Sequence, residues 1–295
     1  MSEKRHRLEY TLFKICRGLV RILPMGMAAQ LMSGLALGVH EVFGWRKEET
    51  RARIAEVFPG RSAAEQNRIR REAVRTLGRN FTELISMDHL DEAWMADHVD
   101  FGNAFGAVED ARKKGRGVLL VITHFGNWDL AGTVGCARGL PMCFIARQQK
   151  NPYVYAELQK VRERSGGMVV DRDDPRLIRH LLEFLANNGT VAILIDIRAR
   201  GEGERYEFLG RPCRLANGLG LLAAKSGAEV IPFSFRREGR AHHVWQAFPA
   251  RRLAPRSSKA EKHALLQSCL DDLGGEILEH PEGYFWFNKR WVLEL

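Results

Sequence analysis

The sequence predicts an α/β fold, a mixed and largely parallel sheet flanked by helices, preceded by a helical N-terminal segment. From about residue 117 onward, short apolar runs alternate with amphipathic stretches, the pattern of strands packed between helices. Helix punctuation falls between those runs: Asp174-Pro175 is a good start and Gly227 a good stop. Before residue 46 the apolar residues instead recur at helical spacing, which divides the chain into an N-terminal helical segment, 1–45, and a main domain, 46–295.

In the N-terminal segment Leu8, Leu12, Ile15, Leu19 and Ile22 form one helical stripe, with Arg7, Lys14, Arg17 and Arg21 off it. After Pro24 an apolar run extends from Met25 to Val39, interrupted only by Gln30 and Ser33. Fifteen helical residues rise about 22 Å, short of the ~30 Å hydrocarbon core, and His40 and Glu41 follow directly. Two placements fit: core helices of a soluble domain, or a basic amphipathic element lying on an anionic membrane face. A single-pass span fits less well.

Ser62-Ala-Ala-Glu65 is a capping-box pattern, and Ile69, Ala73, Leu77, Phe81 and Leu84 continue a helix from it. Arg68, Arg70, Arg71, Arg75 and Arg79 fall on its other face, most simply a solvated surface. Strands are expected at 118–123, 142–146, 168–170, 191–195, 229–235 and 243–248. Helices are expected near 129–138, 152–164, 175–188, 216–226 and 259–280. His242 and His243 would face opposite ways on a strand, a poor metal pair better placed at an edge or surface.

At 295 residues with 45% hydrophobic and 27% charged composition, the chain can bury a large core. Its formal charge of +9 favours anionic partners: nucleic acid, an acidic carrier protein or anionic lipid. A basic nucleic-acid-binding protein is disfavoured, because the arginines are dispersed over several helices without a binding module or aromatic platform. Cys16, Cys136, Cys143, Cys213 and Cys269 are scattered without a C-x-x-C pair, which argues against disulfides and zinc and fits a reducing compartment. No secretory signal pattern is evident, so the main domain is expected on the cytosolic side. The serine-hydrolase elbow, the zincin helix and the P-loop are all missing from the sequence.

One constellation carries chemistry. In THFGNWDLAG, His124 follows the apolar run VLLVI, and Asp129 stands five residues later. Ten histidines and 36 acidic residues in 295 predict about one such match by chance, so position must decide. On a continuous helix the two side chains would lie about 140° apart, whereas a strand end, a Gly126-Asn127 turn and a first helical turn can bring them together. Asp129 would then hold one imidazole nitrogen while the other accepts a proton. The plainer alternative is that His124 bonds a loop and Asp129 caps a helix.

Four collinear blocks carry a resemblance: GRGVLLVITHFGNWDLAG, FIARQQKNPYVYAELQKVRERSGG, VAILIDIRARGEG and FLGRPCRLANGLGLLAAKSGAEVIPFSF. Together they resemble the late acyltransferases of lipid A biosynthesis, the lauroyl and myristoyl enzymes of the glycerolphosphate-acyltransferase-like superfamily. The resemblance implies that His124 and Asp129 are the catalytic pair, and that Arg147 binds a phosphorylated acceptor. It also implies that Asp196 and Arg198 contribute to substrate binding, and that Pro232 shapes the pocket. It further implies transfer of a fatty acyl chain from acyl carrier protein to a hydroxyl of a phosphorylated glycolipid, a lipid A precursor, at the cytoplasmic face of the inner membrane, without metal or cofactor. Another lipid acceptor, phospholipid or aminolipid, or acyl-CoA as donor, is the alternative. Two departures touch the choice of acceptor: Ile197 stands where the family often has glutamine, and the family's W-x-H-x-R-W ending appears here as Trp286, Asn288, Arg290 and Trp291. From the residues alone, Arg147 and Asp196 each end an apolar strand. They either gather at one sheet edge with His124, where arginine grips phosphate bidentately, or pair with each other. Arg200 and Arg205 are further candidates for a headgroup phosphate.

Overall fold

The computed structural model describes residues 3–87, 90–164, 166–199, 201 and 203–293. Two helices open the chain, α1 (Glu3–Ile22) and α2 (Met25–Val42), with Pro24 at the joint. Helix α2 lies along α4 (Ala63–Ser86), and the two backbones meet at Gly78: a Cβ there would stand 2.6 Å from the Ser33 Cα. Glycine is needed at that crossing for close approach. Helix α3 (Lys47–Val57) precedes α4, which begins at the expected Ser62/Glu65 capping box.

Then follow α5 (Glu92–His98), β1 (Val99–Asp100), α6 (Ala104–Lys113), β2 (Val118–Ile122), α7 (Trp128–Ala137), β3 (Met142–Ala146) and α8 (Pro152–Arg164). The chain continues through β4 (Met168–Asp171), α9 (Leu177–Ala186), β5 (Thr190–Leu194), β6 (Glu204–Phe208), β7 (Arg211–Leu215), α10 (Gly218–Ser226), β8 (Glu229–Glu238), β9 (His242–Ala247) and α11 (Lys259–Glu279). Every strand and helix expected between residues 118 and 280 is present, with ends shifted by a few residues. The antiparallel β6–β7 hairpin and α3, α5, β1 and α6 were not expected.

Seven strands form one sheet in the order β1-β9-β8-β2-β5-β3-β4. Strands β8, β2, β5, β3 and β4 are mutually parallel, β9 runs antiparallel to β8, and β1 is parallel to β9. Strand β2 is thus central, and the crevice beyond its carboxyl end is where open α/β sheets place ligands. Period-two alternation sorts its side chains. Leu119 and Val121 join a core with α10 and α11, whereas Val118 and Leu120 join one with α6 and α7.

Two sequence expectations are corrected by packing. Arg70 is buried rather than solvated, donating to Glu41 and Asn67, while Arg71 also meets Glu41 and Arg75 and Arg79 meet Glu72. His243 is fully buried, stacked on Phe235, because β9 is covered rather than left as a bare edge; His242 is exposed on the opposite side. In the N-terminal segment, Leu8, Leu12, Ile15, Leu19 and Ile22 are exposed along α1, and Met27, Leu31, Leu35, Val39 and Val42 along α2. Among the described residues no helix is long and apolar enough to cross a membrane.

Candidate active site

Strand register assembles the site. Strands β2 and β5 are adjacent and parallel, with Ile122 opposite Leu194, so the residues two steps further on, His124 and Asp196, also come level. The imidazole Nδ1 lies 2.8 Å from Asp196 Oδ1, and the His124 backbone N–H donates to Asp196 Oδ2 at 3.0 Å. Tyr284, on the segment after α11, donates its hydroxyl to the same Oδ2 at 2.9 Å. A carboxylate only accepts, so Nδ1 carries the proton and Nε2 is left with a free lone pair.

The Nδ1 contact is made by Asp196, which β5 delivers, where spacing along the chain pointed to Asp129 in the first turn of α7. Asp196 is almost wholly buried and does not line the cavity that His124 faces. Asp129 lines the same cavity as His124 and adds a second negative charge near the ring. Burial by itself would lower the His124 pKa, but the Asp196 charge and hydrogen bond, with the charge of Asp129, overcome it and raise it. Burial likewise works to raise the Asp196 pKa, and the imidazole, the His124 N–H and the Tyr284 hydroxyl bring it below an ordinary aspartate.

The turn that presents His124 is built with little freedom. Gly126 has φ +63°, and a Cβ there would overlap the Phe235 carbonyl, so no other residue fits. Its N–H donates to Gly283 O, and the Phe285 N–H donates to His124 O. Asn127 caps α7 by accepting the Leu130 N–H on Oδ1. Trp128 packs edge-on against the imidazole, and Phe285 packs against both rings.

From His124 a cavity of about 560 Å³ runs between the sheet and α7. Its walls are Leu120 and Ile122 of β2, Met142 and Phe144 of β3, Ala192 and Leu194 of β5, with Phe233, Trp245 and Leu140. The named residues of β2, β3 and β5 lie two apart along their strands and so share one face of the sheet. Between Met142 and Arg147 the cavity follows β3 for about 16 Å. At its mouth stand Arg147, Gln149, Arg172 and Asn288. Arg147 does not pair with Asp196; its exposed side chain has Nε 3.4 Å from Asp173 Oδ2. Arg198 is not brought to this cavity: its backbone bridges to Leu215 on β7, and its carbonyl accepts from Arg290 at 2.6 Å. Pro232 lies within β8, paired with Val121 of β2. Arg205 lies on β6 of the hairpin, and Arg200 falls outside the described residues. Tyr284, Arg172 and Phe285 were not singled out from the sequence. For Tyr284 the only signal was its position just before the Trp286 to Trp291 ending.

The arrangement is suited to one chemistry: a buried acid fixes the imidazole tautomer, and a deep apolar channel beside the base holds a long hydrocarbon away from water. Comparison with known proteins points the same way. The model of the family described as "Bacterial lipid A biosynthesis acyltransferase" matches residues 2–292. A protein named phosphatidylinositol mannoside acyltransferase from Mycobacterium tuberculosis (strain CDC 1551 / Oshkosh) is 26% identical over 253 residues, 84% of this chain and 78% of its own. One of the same name from Mycolicibacterium smegmatis is 24% identical over 284 residues, 94% of this chain and 89% of its own. With a family match across nearly its whole length and acyltransferases as its relatives, the chain belongs to the bacterial lipid A biosynthesis acyltransferase family and is an enzyme that transfers acyl groups.

Proposed function

We propose that the protein transfers a fatty acyl chain from acyl carrier protein to a hydroxyl of a phosphorylated glycolipid, a lipid A precursor. The observation that carries this is the His124–Asp196 pair opening onto the apolar cavity. Nε2 takes the proton of the acceptor hydroxyl as its oxygen attacks the thioester carbonyl. The C–S bond then breaks, and the imidazolium returns the proton to the departing thiolate. Asp129 adds charge that stabilises the imidazolium, and backbone N–H groups of the first turn of α7 steady the oxyanion. Arg147, with Arg172 beside it at the mouth, holds acceptor phosphate.

A second acceptor is favoured by the relatives, which are named for phosphatidylinositol mannoside; both acceptors are glycolipids carrying phosphate. Lipid mass spectrometry of a strain lacking the gene, with and without its restoration, tests the proposal. Loss of one acyl group from a phosphorylated glycolipid is expected, and an unchanged lipid profile would refute it. The mass of the truncated lipid names acceptor and chain together, and purified enzyme given acyl carrier protein or CoA thioesters separates the donors.

The exposed apolar stripes of α1 and α2, flanked by basic residues, support a peripheral position on the cytoplasmic face of an anionic inner membrane. Leu12→Glu with Leu19→Glu should leave the melting temperature within a few degrees, since both side chains are exposed. Flotation with anionic vesicles should show binding weakened by more than tenfold; undiminished flotation would remove α1 from the docking surface.

Cavity depth should set chain length. Ala192 of β5 lines the cavity and is only partly buried, so a larger side chain there projects into its open space. Ala192→Leu should therefore reduce the room for the chain and shift the preferred donor to shorter chains, by about tenfold in relative kcat/KM. Competition assays with mixed acyl donors, read by mass spectrometry, would show it.

A further inference from the structure

The catalytic turn is held on its other side by a buried polar network whose members do not themselves line the acyl cavity. Glu83, on the last turn of α4, is fully enclosed. Its Oε2 accepts from Asn127 Nδ2 at 2.7 Å, and both its oxygens accept from the Arg237 guanidinium of β8, at 2.7 and 2.5 Å. His243 of β9 completes the set, its Nε2 3.1 Å from Glu83 Oε1. One turn earlier on α4, Asn80 accepts from Arg237 Nη2 at 2.7 Å and donates to the Gly126 carbonyl at 2.6 Å. Amide orientations follow from the partners: the Gly126 carbonyl only accepts and the guanidinium only donates. Two consecutive residues of the turn, Gly126 and Asn127, are thus bound to α4 by directional hydrogen bonds, two and three residues from His124.

We propose that Glu83 is a positioning residue for His124, acting through Asn127 and, with Arg237 and Asn80, through Gly126. The proposal rests on the reading of His124 as the base. Packing alone does not call for such a network, because a buried ion pair is often no more stabilising than apolar residues of the same volume. What apolar residues cannot supply is a fixed direction for the turn, and a misplacement of about 1 Å in a catalytic group can lower rates by about a hundredfold. The carboxylate stays ionised although burial opposes it, because the charges and hydrogen bonds of Arg237 and His243 bring its pKa down to about 2. The clamp therefore persists across the working range of pH.

Asn127→Ser isolates the link. Serine still caps α7 through its hydroxyl but has no amide to donate to Glu83, and the Glu83–Arg237 pair is untouched. Expected for this variant are a kcat lower by about 10- to 100-fold, a KM for acyl donor within about twofold, and a melting temperature within a few degrees. Glu83→Gln keeps an acceptor for Asn127 and should retain more activity per folded molecule than Glu83→Ala, whatever each loses in stability. The second readout is independent of turnover: histidine NMR, with the His124 signal assigned by its loss in His124→Ala. In Asn127→Ser the His124 titration should move to lower pH, as its contact with Asp196 loosens. An unchanged kcat with only a lowered melting temperature, or an unmoved His124 titration, would overturn the proposal. If His124→Ala itself transferred acyl groups at the wild-type rate, the base reading would fall, and the NMR titration would still decide whether Glu83 holds the ring.

Discussion

Replacing Asp196 with asparagine is expected to lower kcat by about 10³- to 10⁴-fold, a loss on the scale of an imidazole held in the wrong tautomer. The His124 N–H and the Tyr284 O–H both donate to Oδ2. An asparagine at 196 must turn its carbonyl oxygen toward those two donors, which leaves its amide N–H facing the imidazole Nδ1. Nδ1 then has to accept, the ring proton moves to Nε2, and the nitrogen on the cavity side can no longer take a proton. Folding is expected to be largely retained, because all three hydrogen bonds have counterparts. Asp129→Asn should be milder, since it removes a nearby charge and leaves the Nδ1 contact intact. Steady-state kinetics on the two variants decide the assignment; if Asp129→Asn lost more activity than Asp196→Asn, the orienting role would return to Asp129.

The same pair sets the pH dependence. A base works when neutral, and the His124 pKa is raised in the folded protein. The acid limb of kcat/KM in the wild type should therefore lie above about 6.5, the ordinary histidine value. In Asp196→Asn the residual activity should show that limb at lower pH, because burial still disfavours the imidazolium while its counter-charge is gone. Stability follows with a definite sign. The raised histidine contributes stability that is full below the unfolded histidine pKa and lost as pH rises through the folded one. The lowered aspartate contributes stability that is present above the unfolded aspartate pKa and lost as pH falls through the folded value. The pair is therefore most stabilising between those limits, and melting temperatures against pH for wild type and Asp196→Asn should converge outside them.

How much of this was legible in the sequence depends on distance along the chain. Strand ends were legible: His124, Arg147 and Asp196 each follow an apolar run, and each lies just past a strand. Their partners were not, because strand order and register are set by tertiary packing, and the neighbour that brings an acid to His124 is β5, 72 residues away. Proximity in sequence drew attention to Asp129 for the same reason. The β6–β7 hairpin does alternate, with Tyr206, Phe208, Cys213 and Leu215 turned inward, but Arg205, Glu207, Arg211 and Arg214 between them gave the stretch the texture of a charged loop. Glu83 and Arg237 carry no local signal, and His243 reads as an edge or surface residue, since the network joins elements up to 160 residues apart. The acyl cavity was half legible. Alternation in β2, β3 and β5 marks which residues share a face, but nothing local says that α7, with Gly132 on the cavity wall, leaves that face partly uncovered.

His124→Ala should lower transfer by at least about 10⁴-fold, the scale of losing a catalytic histidine, while the fold is retained. The side chain is only partly enclosed by Trp128 and Phe285, and its removal leaves Asp196 with two donors, the backbone N–H of residue 124 and the Tyr284 hydroxyl. A buried carboxylate that keeps two hydrogen bonds is not an orphaned charge, although its pKa should rise once the imidazolium no longer opposes protonation. Donor binding should survive as well, since the cavity walls are apolar residues that make no use of the ring. The expected signature is thus specific: circular dichroism and melting close to wild type, acyl-donor binding within a few-fold, and no product. Transfer at the wild-type rate would require another base within reach of the acceptor. Asp129, the other titratable wall residue beside His124, would then be the group to replace next, and the double variant would show whether any base is needed.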